Sequence, residues 1–229
     1  MKLSDILDQN RIEIRPMFKP GLDRRNTVLL DLSGKNDDLN KLKFENTSDL
    51  GDYIFGLMGQ QQKLYAYGGY MENRTVYQRS ELFGQQGQTA RSVHLGIDVW
   101  TTAHTPVYLP LDGKVHSFQN NDQYGDYGPT IIMEHNWHNL RFYTLYGHLS
   151  AESIEAMEEN LPMKAGSLLC HIGSAPVNGD WPPHLHFQLI TDMMGKRGDF
   201  PGVCTPGESE LWKQRCPDPI YFFENLKES

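Results

Sequence analysis

The sequence contains few cysteines, and their number is odd. Cys170, Cys204 and Cys216 are the three cysteines among 229 residues, so at least one thiol stays unpaired. An unpaired thiol fits a reducing compartment better than an oxidising one. Cys204 and Cys216 could still form a bridge across a C-terminal loop. Cys170 lies in an apolar run, where we predict a small buried hydrophobic residue rather than a metal ligand.

The chain also lacks a long apolar run and an excess of basic residues. No stretch approaches the roughly 20 apolar residues that span a bilayer, so we expect no transmembrane segment. With 21 basic and 29 acidic residues the net charge is −8, which argues against a nucleic-acid or anionic-membrane binder because such partners require a basic surface. Residues 1–9 lack the features of a secretory signal. We therefore expect a cytoplasmic location, or a secreted or periplasmic one if the chain has been trimmed.

Composition and local pattern divide the chain into three parts. A hydrophobic content of 38% and a charged content of 22% indicate a globular protein with a sizeable core. The expected parts are an N-terminal α+β extension, a main domain, and a C-terminal tail packed on that domain, at residues 1–65, 66–192 and 193–229.

The N-terminal extension has a strand candidate at residues 27–32 and a helix candidate at residues 49–58. The C-terminal tail is rich in proline, and we predict that Trp212 and the aromatic residues 221–223 anchor it by burial. Both terminal parts are therefore expected to pack against the main domain.

Strand and turn signals become dense in the main domain. The sequence around Asp112-Gly113 predicts a hairpin, and residues 136–139 predict a second one. Two further strands are expected at residues 168–172 and 184–191, and a short helix capped by Ser150 is expected before them at residues 151–159. Several short strands with little helix indicate a mainly β fold, either an antiparallel sheet or a barrel-sandwich hybrid.

Two strand-like segments, some ninety residues apart, carry the same polar pattern. His94 and Asp98 fall on one face of the first strand, with Gly96 leaving room between them. His184 and His186 fall on one face of the second strand, because side chains alternate between the two faces of a strand. If both faces look into one groove, the four polar side chains meet there.

This set of residues is suited to zinc. A catalytic zinc site usually has three protein ligands and one open position for water, and imidazole nitrogens and carboxylate oxygens are common ligands. Two histidines and one aspartate meet that count, and one histidine of the later pair is left over. A single histidine is more often a half-buried core or surface residue, but the two motifs together favour a metal site.

A third motif, Tyr-Gly-His-Leu-Ser, occupies residues 146–150 and contains His148. In combination, the His-x-x-x-Asp pattern, this segment, and a His-x-His followed by Phe resemble the lysostaphin or LytM type of zinc metallopeptidase. Residues 105–115 and 164–173 also match the pattern of that family. The resemblance covers about residues 90–192.

The resemblance implies a function and a division of roles. It makes His94, Asp98 and His186 the ligands of Zn²⁺, and His148 and His184 an unliganded catalytic pair. The family cuts peptide cross-links of bacterial cell walls, so the resemblance implies a peptide or peptidoglycan-like substrate hydrolysed by a zinc-activated water. One imidazole would carry the proton and the other would stabilise the oxyanion, in an order that the sequence leaves open.

Departures from the family pattern keep two alternatives open. The segment 175–183 carries Trp181 and three prolines, whereas the family usually has Ser, Thr and Gly there. The junction at residues 68–74 and the segment 199–203 look like an intracellular branch of the family. One alternative is therefore a zinc amidohydrolase acting on a soluble intracellular peptide. The other is a catalytically silent module that regulates another hydrolase. Because the chain keeps all five polar positions, a metal-competent site is favoured.

Two tyrosines at the junction before the main domain are weaker candidates. Tyr70 and Tyr77 could each add a hydrogen-bond donor to the oxyanion, although an aromatic side chain at such a junction more often serves packing. The other five histidines are expected to be ordinary surface or core residues, and of these only His171 is a candidate for contacting the metal ligands. These five are His104, His116, His135, His138 and His171.

Overall fold

The computed structural model describes residues 3–41, 47–74, 90–223 and 226. Its centre is an eight-stranded sheet, and helices are short and few among the described residues. The strands are β1 (Thr27–Leu29), β2 (Tyr65–Gly68), β3 (Val93–His94), β4 (Ile97–Trp100), β5 (Pro106–Tyr108), β6 (Gly113–Asn121), β7 (Gly128–Trp137), β8 (Leu140–Gly147), β9 (Pro162–Met163), β10 (Leu168–His171), β11 (His184–Ile190) and β12 (Val203–Cys204).

The large sheet has the strand order β1-β2-β4-β11-β8-β7-β6-β9. Only the pairing of β1 with β2 is parallel, and every other neighbouring pair in this sheet is antiparallel. Two small sheets pair β10 with β5 and β12 with β3. The predicted mainly β, antiparallel fold with an N-terminal α+β extension is therefore confirmed.

The α-helices are α1 (Leu3–Gln9), α2 (Asp37–Lys41), α3 (Thr47–Gln60), α4 (Glu152–Glu155) and α5 (Ser209–Arg215). The helix expected at residues 49–58 is α3, which buries Leu50, Ile54 and Met58 at a spacing of four residues. That face packs in one cluster with Trp100 and Trp181. Among the described residues, no helix has the length and apolar character needed to cross a bilayer.

The predicted hairpin around Asp112-Gly113 is wrong. Strand β5 pairs with β10, whereas β6 pairs with β7 and β9. Leu109 and Leu111, which lie between β5 and β6 in the sequence, are both buried, so this segment is part of the core and not an exposed turn. The Asp112 carboxylate accepts hydrogen bonds from the backbone N–H of Ala165 (2.8 Å) and from Lys164 Nζ (2.7 Å). The Asp-Gly sequence favours a local turn, but the pairing of these strands depends on burial against distant parts of the chain.

The second predicted hairpin is confirmed. Strands β7 and β8 are joined through His138 and Asn139, whose φ angles are +47° and +62°. Two consecutive residues in this left-handed region match the twist of an antiparallel pair. The helix expected after Ser150 is shorter than predicted, since α4 ends at Glu155, and the Ser150 hydroxyl contacts Ser153 Oγ (3.0 Å) rather than capping a backbone N–H.

The two faces of the sheet pack against different layers. On β11, Leu185, Phe187 and Leu189 enter the main hydrophobic cluster, which also receives Phe222 and Phe223 of the tail. The alternate residues of β11 face a second layer that contains Phe200, Cys204 and Cys216. Tail residues therefore pack on both faces. Phe222 and Phe223 are buried as predicted, whereas Tyr221 and Trp212 are only partly buried. The division at residues 65/66 and 192/193 stays a prediction, although β1 and β2 continue the sheet beyond β4.

Candidate metal centre and catalytic site

The first polar pair lies on two short strands rather than on one continuous strand. His94 ends β3 and Asp98 lies in β4, with Leu95-Gly96 between the strands. Both polar side chains are buried. Gly96 leaves room for a neighbour, as predicted, because a Cβ there would lie 2.8 Å from Cε1 of His186 and 2.7 Å from the carbonyl oxygen of Phe187.

The antiparallel pairing of β4 with β11 brings the second polar pair to the first. In this register His186 lies opposite Asp98, and His184 lies opposite Trp100. His184 stacks on the Trp100 ring with centroids 5.4 Å apart. All seven residues of β11 are buried, so both histidines have little contact with bulk water. The predicted convergence of the two segments is therefore what the structure shows.

Three ligand atoms converge in this site. His94 Nε2 lies 2.9 Å from His186 Nδ1 and 3.3 Å from Asp98 Oδ1, and His186 Nδ1 lies 3.1 Å from Asp98 Oδ1. A tetrahedral zinc site with bonds of about 2.0–2.1 Å places its ligand atoms roughly 3.3 Å apart. The three residues could hold a metal ion of this size with small outward movements.

Hydrogen bonds on the far side of each ring set the imidazole tautomers. His94 Nδ1 lies 3.1 Å from the carbonyl oxygen of Gly69, which only accepts, so this nitrogen carries the proton. His186 Nε2 donates to Gln188 Oε1 (2.9 Å), and the Gln188 amide is oriented because its NH₂ donates to the Pro201 carbonyl (3.0 Å). Two unprotonated nitrogens, His94 Nε2 and His186 Nδ1, are left facing each other at 2.9 Å.

This arrangement fits a cation. Two imidazole lone pairs and one carboxylate oxygen point at a shared centre with no proton between the two nitrogens, and such an arrangement is repulsive until a positive charge occupies it. Imidazole and carboxylate are ligands that zinc accepts readily. The donor set therefore fits the metal that the sequence implied.

The pKa values of His94 and Asp98 agree with an acceptor set. Burial lowers the pKa of His94 to about 3, and the Arg74 charge acts in the same direction. For Asp98, burial alone would raise the pKa, but His94 and Arg74 outweigh it and hold the pKa well below its usual value. At neutral pH, His94 is uncharged and Asp98 is ionised, which is the state that binds a metal.

The other two histidines form a close pair beside the ligands. His148 follows β8 with a φ of +61°, and its ring centroid lies 4.2 Å from that of His184. Each ring donates Nδ1–H to a backbone carbonyl, at 2.8 Å to Asn178 and 2.7 Å to Pro182. The Nε2 atom of each ring is therefore a proton acceptor. His184 Nε2 lies 3.9 Å from Asp98 Oδ1, at the edge of the ligand set.

Burial lowers the pKa of both histidines of this pair. For His148, burial and then the imidazoles of His184 and His186 hold the pKa well below 6.5. The pKa of His184 is lowered by burial as well. Both rings are neutral at pH 7, so each can accept a proton.

Sequence reasoning missed several residues around the site. The Tyr127 hydroxyl lies 3.5 Å from His186 Nε2, and the same ring packs against His148 at a centroid distance of 5.7 Å. A Cβ at Gly147 would lie 2.7 Å from this ring. Asn178, Gln188 and Arg74 were also missed. Gln188 lies on β11 two residues after His186, so the alternation of side chains along that strand could have found it, whereas Tyr127, Asn178 and Arg74 reach the site from other parts of the chain.

Neither of the two tyrosine candidates is established as a hydrogen-bond donor to the oxyanion. The Tyr70 hydroxyl donates to the Cys216 carbonyl (2.8 Å), so it serves packing. Tyr77 lies outside the described residues. All three cysteines are buried free thiols, including Cys204 and Cys216. As predicted, Cys170 is a core residue, and burial raises the pKa of its thiol.

A cavity of about 220 Å³ opens onto the ligand set and the histidine pair. Leu32 and Leu50 line one wall, so the N-terminal extension helps to form the cavity. Charged residues of both signs lie elsewhere on its lining, namely Arg91, Asp126, Lys196 and Asp199. The site is therefore a pocket built by three parts of the chain.

One protein-family model matches part of the chain. Residues 92–197 match the sequence profile of Peptidase family M23. No curated protein sequence matches the chain.

Among solved structures, the catalytic domain of the antimicrobial peptidase lysostaphin from Staphylococcus simulans is 24% identical, with a TM-score of 0.37, and the match covers 53% of this chain and 80% of that one. The catalytic domain of a prophage-encoded M23 protein from Enterococcus faecalis is 20% identical, with a TM-score of 0.41, over 58% and 85% of the two chains. A zinc-containing peptidase from Vibrio cholerae is 25% identical, with a TM-score of 0.38, over 53% and 32%.

Proposed function

We propose that this chain is a zinc-dependent metallopeptidase that hydrolyses a peptide amide bond at the His94–Asp98–His186 centre, because residues 92–197 match the profile of Peptidase family M23. The observation that carries the proposal is the convergence of His94 Nε2, His186 Nδ1 and Asp98 Oδ1 within 3.3 Å of one another. These three residues would hold the ion. A zinc ion bound there would supply a Lewis acid that lowers the pKa of water and polarises the scissile carbonyl.

His148 and His184 are the proton carriers in this proposal. Their Nε2 atoms are unprotonated and aimed away from the carbonyls that hold the Nδ1–H groups. A neutral imidazole can accept the proton of the attacking water and return it to the leaving amine. A ring that has taken up this proton becomes a donor, so the same pair can also stabilise the oxyanion.

The substrate proposed is a peptide of the peptidoglycan type. The support is the motif set His94/Asp98, His148 and His184/His186, which is that of the cell-wall endopeptidases the sequence resembles. A soluble intracellular peptide is the second candidate, favoured by the proline-rich segment 175–183 with Trp181, which departs from that family. A silent regulatory module is disfavoured because all five polar side chains are present and converge.

One experiment separates these functions. Zinc-loaded protein is incubated with purified cell-wall peptides and, separately, with a cytosolic peptide pool, and the products are read by mass spectrometry. New amide cleavage in the wall peptides supports the proposal, whereas cleavage in the cytosolic pool alone supports the second candidate. No product in either pool from metal-replete protein would reject the peptidase function.

Metal content tests the ligand set directly. Asp98→Ala and His186→Ala are expected to lose the near-stoichiometric zinc that the unaltered protein holds after dialysis, as measured by elemental mass spectrometry. His138→Ala is the matched control, since His138 lies in the β7–β8 turn and bonds to Glu13. Zinc retained in either ligand variant would contradict the assignment.

A further inference from the structure

A buried arginine from outside the family segment contacts the ligand set. Arg74 precedes residues 92–197, yet its Nη1 donates to Asp98 Oδ2 at 2.5 Å. Both side chains are only 3% exposed. An ion pair removed from water in this way is strong only when its geometry is good and the remaining donors of the guanidinium are also hydrogen-bonded.

The guanidinium is held from two further sides. Its Nε donates to Glu72 Oε2 at 2.7 Å, and the other Glu72 oxygen, Oε1, accepts the backbone N–H of Leu32 at 2.9 Å. Its Nη2 lies 3.4 Å from the carbonyl oxygen of Gly68. Glu72 is thus fixed by the N-terminal extension and in turn fixes Arg74.

Gly69 makes space for this arginine. Its φ is +103°, and a Cβ there would lie 1.8 Å from Arg74 Nη2 and 2.9 Å from Glu72 Oε2. No side chain could occupy that position without displacing the ion pair. The carbonyl oxygen of the same Gly69 accepts Nδ1–H of His94. Residues 68–74 therefore support two of the three ligands.

The contact with Arg74 gives the two carboxylate oxygens of Asp98 different roles. Oδ2 is bonded to the guanidinium, and Oδ1 is the oxygen that lies 3.3 Å from His94 Nε2 and 3.1 Å from His186 Nδ1. Rotation of the carboxylate to offer both oxygens to a metal would break a buried ion pair. Asp98 is thereby restricted to one ligand atom, which leaves space for a water or substrate oxygen.

We propose that Arg74, anchored by Glu72, is a positioning residue of the metal centre that holds Asp98 as a single-oxygen ligand. This inference rests on the proposed function only in requiring that the three ligands bind a divalent metal. It extends the centre beyond the segment that the family profile matches, because the sequence feature that carries it, Glu72-x-Arg74, lies before that segment.

The test uses the full chain and two metals. Zinc affinity is measured by competition with a chromophoric chelator, and the visible absorption spectrum of the Co²⁺-loaded protein reports the number and geometry of ligands. Arg74→Ala is expected to weaken zinc binding about 10–100-fold, the range typical for lost outer partners of metal ligands, and to change the Co²⁺ spectrum. Arg25→Ala, which removes an exposed arginine paired with Asp23, is the matched control.

Two further variants keep the test decisive if Arg74→Ala folds poorly. Arg74→Lys keeps the charge but cannot bond both carboxylates through a planar fork, so it is expected to recover part of the zinc affinity and of the spectrum. Glu72→Gln keeps the shape and weakens the anchor, and it is expected to shift the Co²⁺ spectrum less than Arg74→Ala does. A purely structural arginine would change thermal stability in these variants and leave both metal readouts unchanged.

Failure of the positioning role can be distinguished from failure of the proposed function. If the unaltered protein binds neither metal at the centre, the proposed function fails. If it binds both, and folded Arg74 variants bind zinc equally well with an unchanged Co²⁺ spectrum, the positioning role is overturned while the function stands. A selective rise in KM with unchanged metal affinity would also overturn it, because that result would place Arg74 in contact with substrate.

Discussion

His148 and His184 lie with their ring centroids 4.2 Å apart, and each ring gives its Nδ1–H to a backbone carbonyl. Both carbonyls, those of Asn178 and Pro182, lie in the loop between β10 and β11, so the backbone of residues 178–182 sets the tautomer of both rings. The pair is consequently prepared to accept protons at Nε2 before any substrate is bound.

Removal of one ring of this pair should separate metal binding from turnover. His148→Ala is expected to keep zinc near the level of the unaltered protein and to lower kcat about 10²–10⁴-fold, because positioned proton transfer typically contributes that much. Zinc content and steady-state peptide cleavage are measured on the same sample. His138→Ala should match the unaltered protein in both. An active His148→Ala enzyme would remove this residue from the catalytic pair.

Gly96 should tolerate no side chain. In Gly96→Ala the new Cβ would lie 2.7 Å from the Phe187 carbonyl oxygen and 2.8 Å from His186 Cε1. The backbone of Phe187 belongs to β11 and cannot move away without an energetic cost. We expect about 1–3 kcal/mol of destabilisation from overpacking, together with weaker zinc binding as His186 shifts. Urea unfolding and chelator competition measure the two effects.

Gly56→Ala is the matched glycine control. Gly56 lies inside α3, and nothing lies within 4 Å of a Cβ built there. Alanine is the better helix former by roughly 0.5–1 kcal/mol, so this variant should gain stability and leave zinc affinity unchanged. Equal behaviour of the two glycine variants would argue against a special role for Gly96.

Gln188 should matter through the tautomer of His186. Gln188→Met removes the acceptor of His186 Nε2–H at similar size, so the ring is no longer held with Nδ1 unprotonated. We expect zinc binding to weaken about 10–100-fold, as for other outer partners of metal ligands. Gln119→Met, on β6, serves as the control. Unchanged zinc affinity in folded Gln188→Met would show that the tautomer is set by another contact.

His135 should make the protein less stable in acid. Its ring is fully buried, with Nδ1 2.9 Å from the Asp112 carbonyl oxygen and Nε2 2.7 Å from Thr144 Oγ1. Burial lowers its pKa from 6.5 to about 4. Between pH 6.5 and about 4, the imidazole of His135 becomes protonated in the unfolded chain but stays neutral in the folded protein. Its contribution to stability therefore falls as pH drops from 6.5 to about 4.

The size of the His135 effect follows from the shift. A pKa lowered from 6.5 to about 4 corresponds to roughly 3 kcal/mol of stability lost between pH 6.5 and about 4. His135→Gln has no group that titrates there, so its unfolding free energy should fall less steeply with acid by that amount. Urea unfolding of both proteins in chelator at pH 7, 5.5 and 4 measures the difference. Parallel pH profiles would show that His135 does not carry this dependence.

Short-range patterns in the sequence determined much of this protein. The alternation of polar and aliphatic residues placed His184 and His186 on one face of β11, and Gly96 was correctly expected to leave room beside the ligands. The hairpin through residues 138–139 was equally local, since its two positions depend on nearby turn chemistry. Such features follow from steric rules that act over a few residues.

Only the tertiary structure decided which distant groups complete the site. The sequence held no sign that Arg74 would bond Asp98, or that the turn at Asp112 would not close a hairpin. These outcomes depend on burial and on pairing between segments far apart in the chain. A local pattern restricts the face on which a side chain lies, whereas the partner it meets there is settled when the whole sheet and its covering loops pack together.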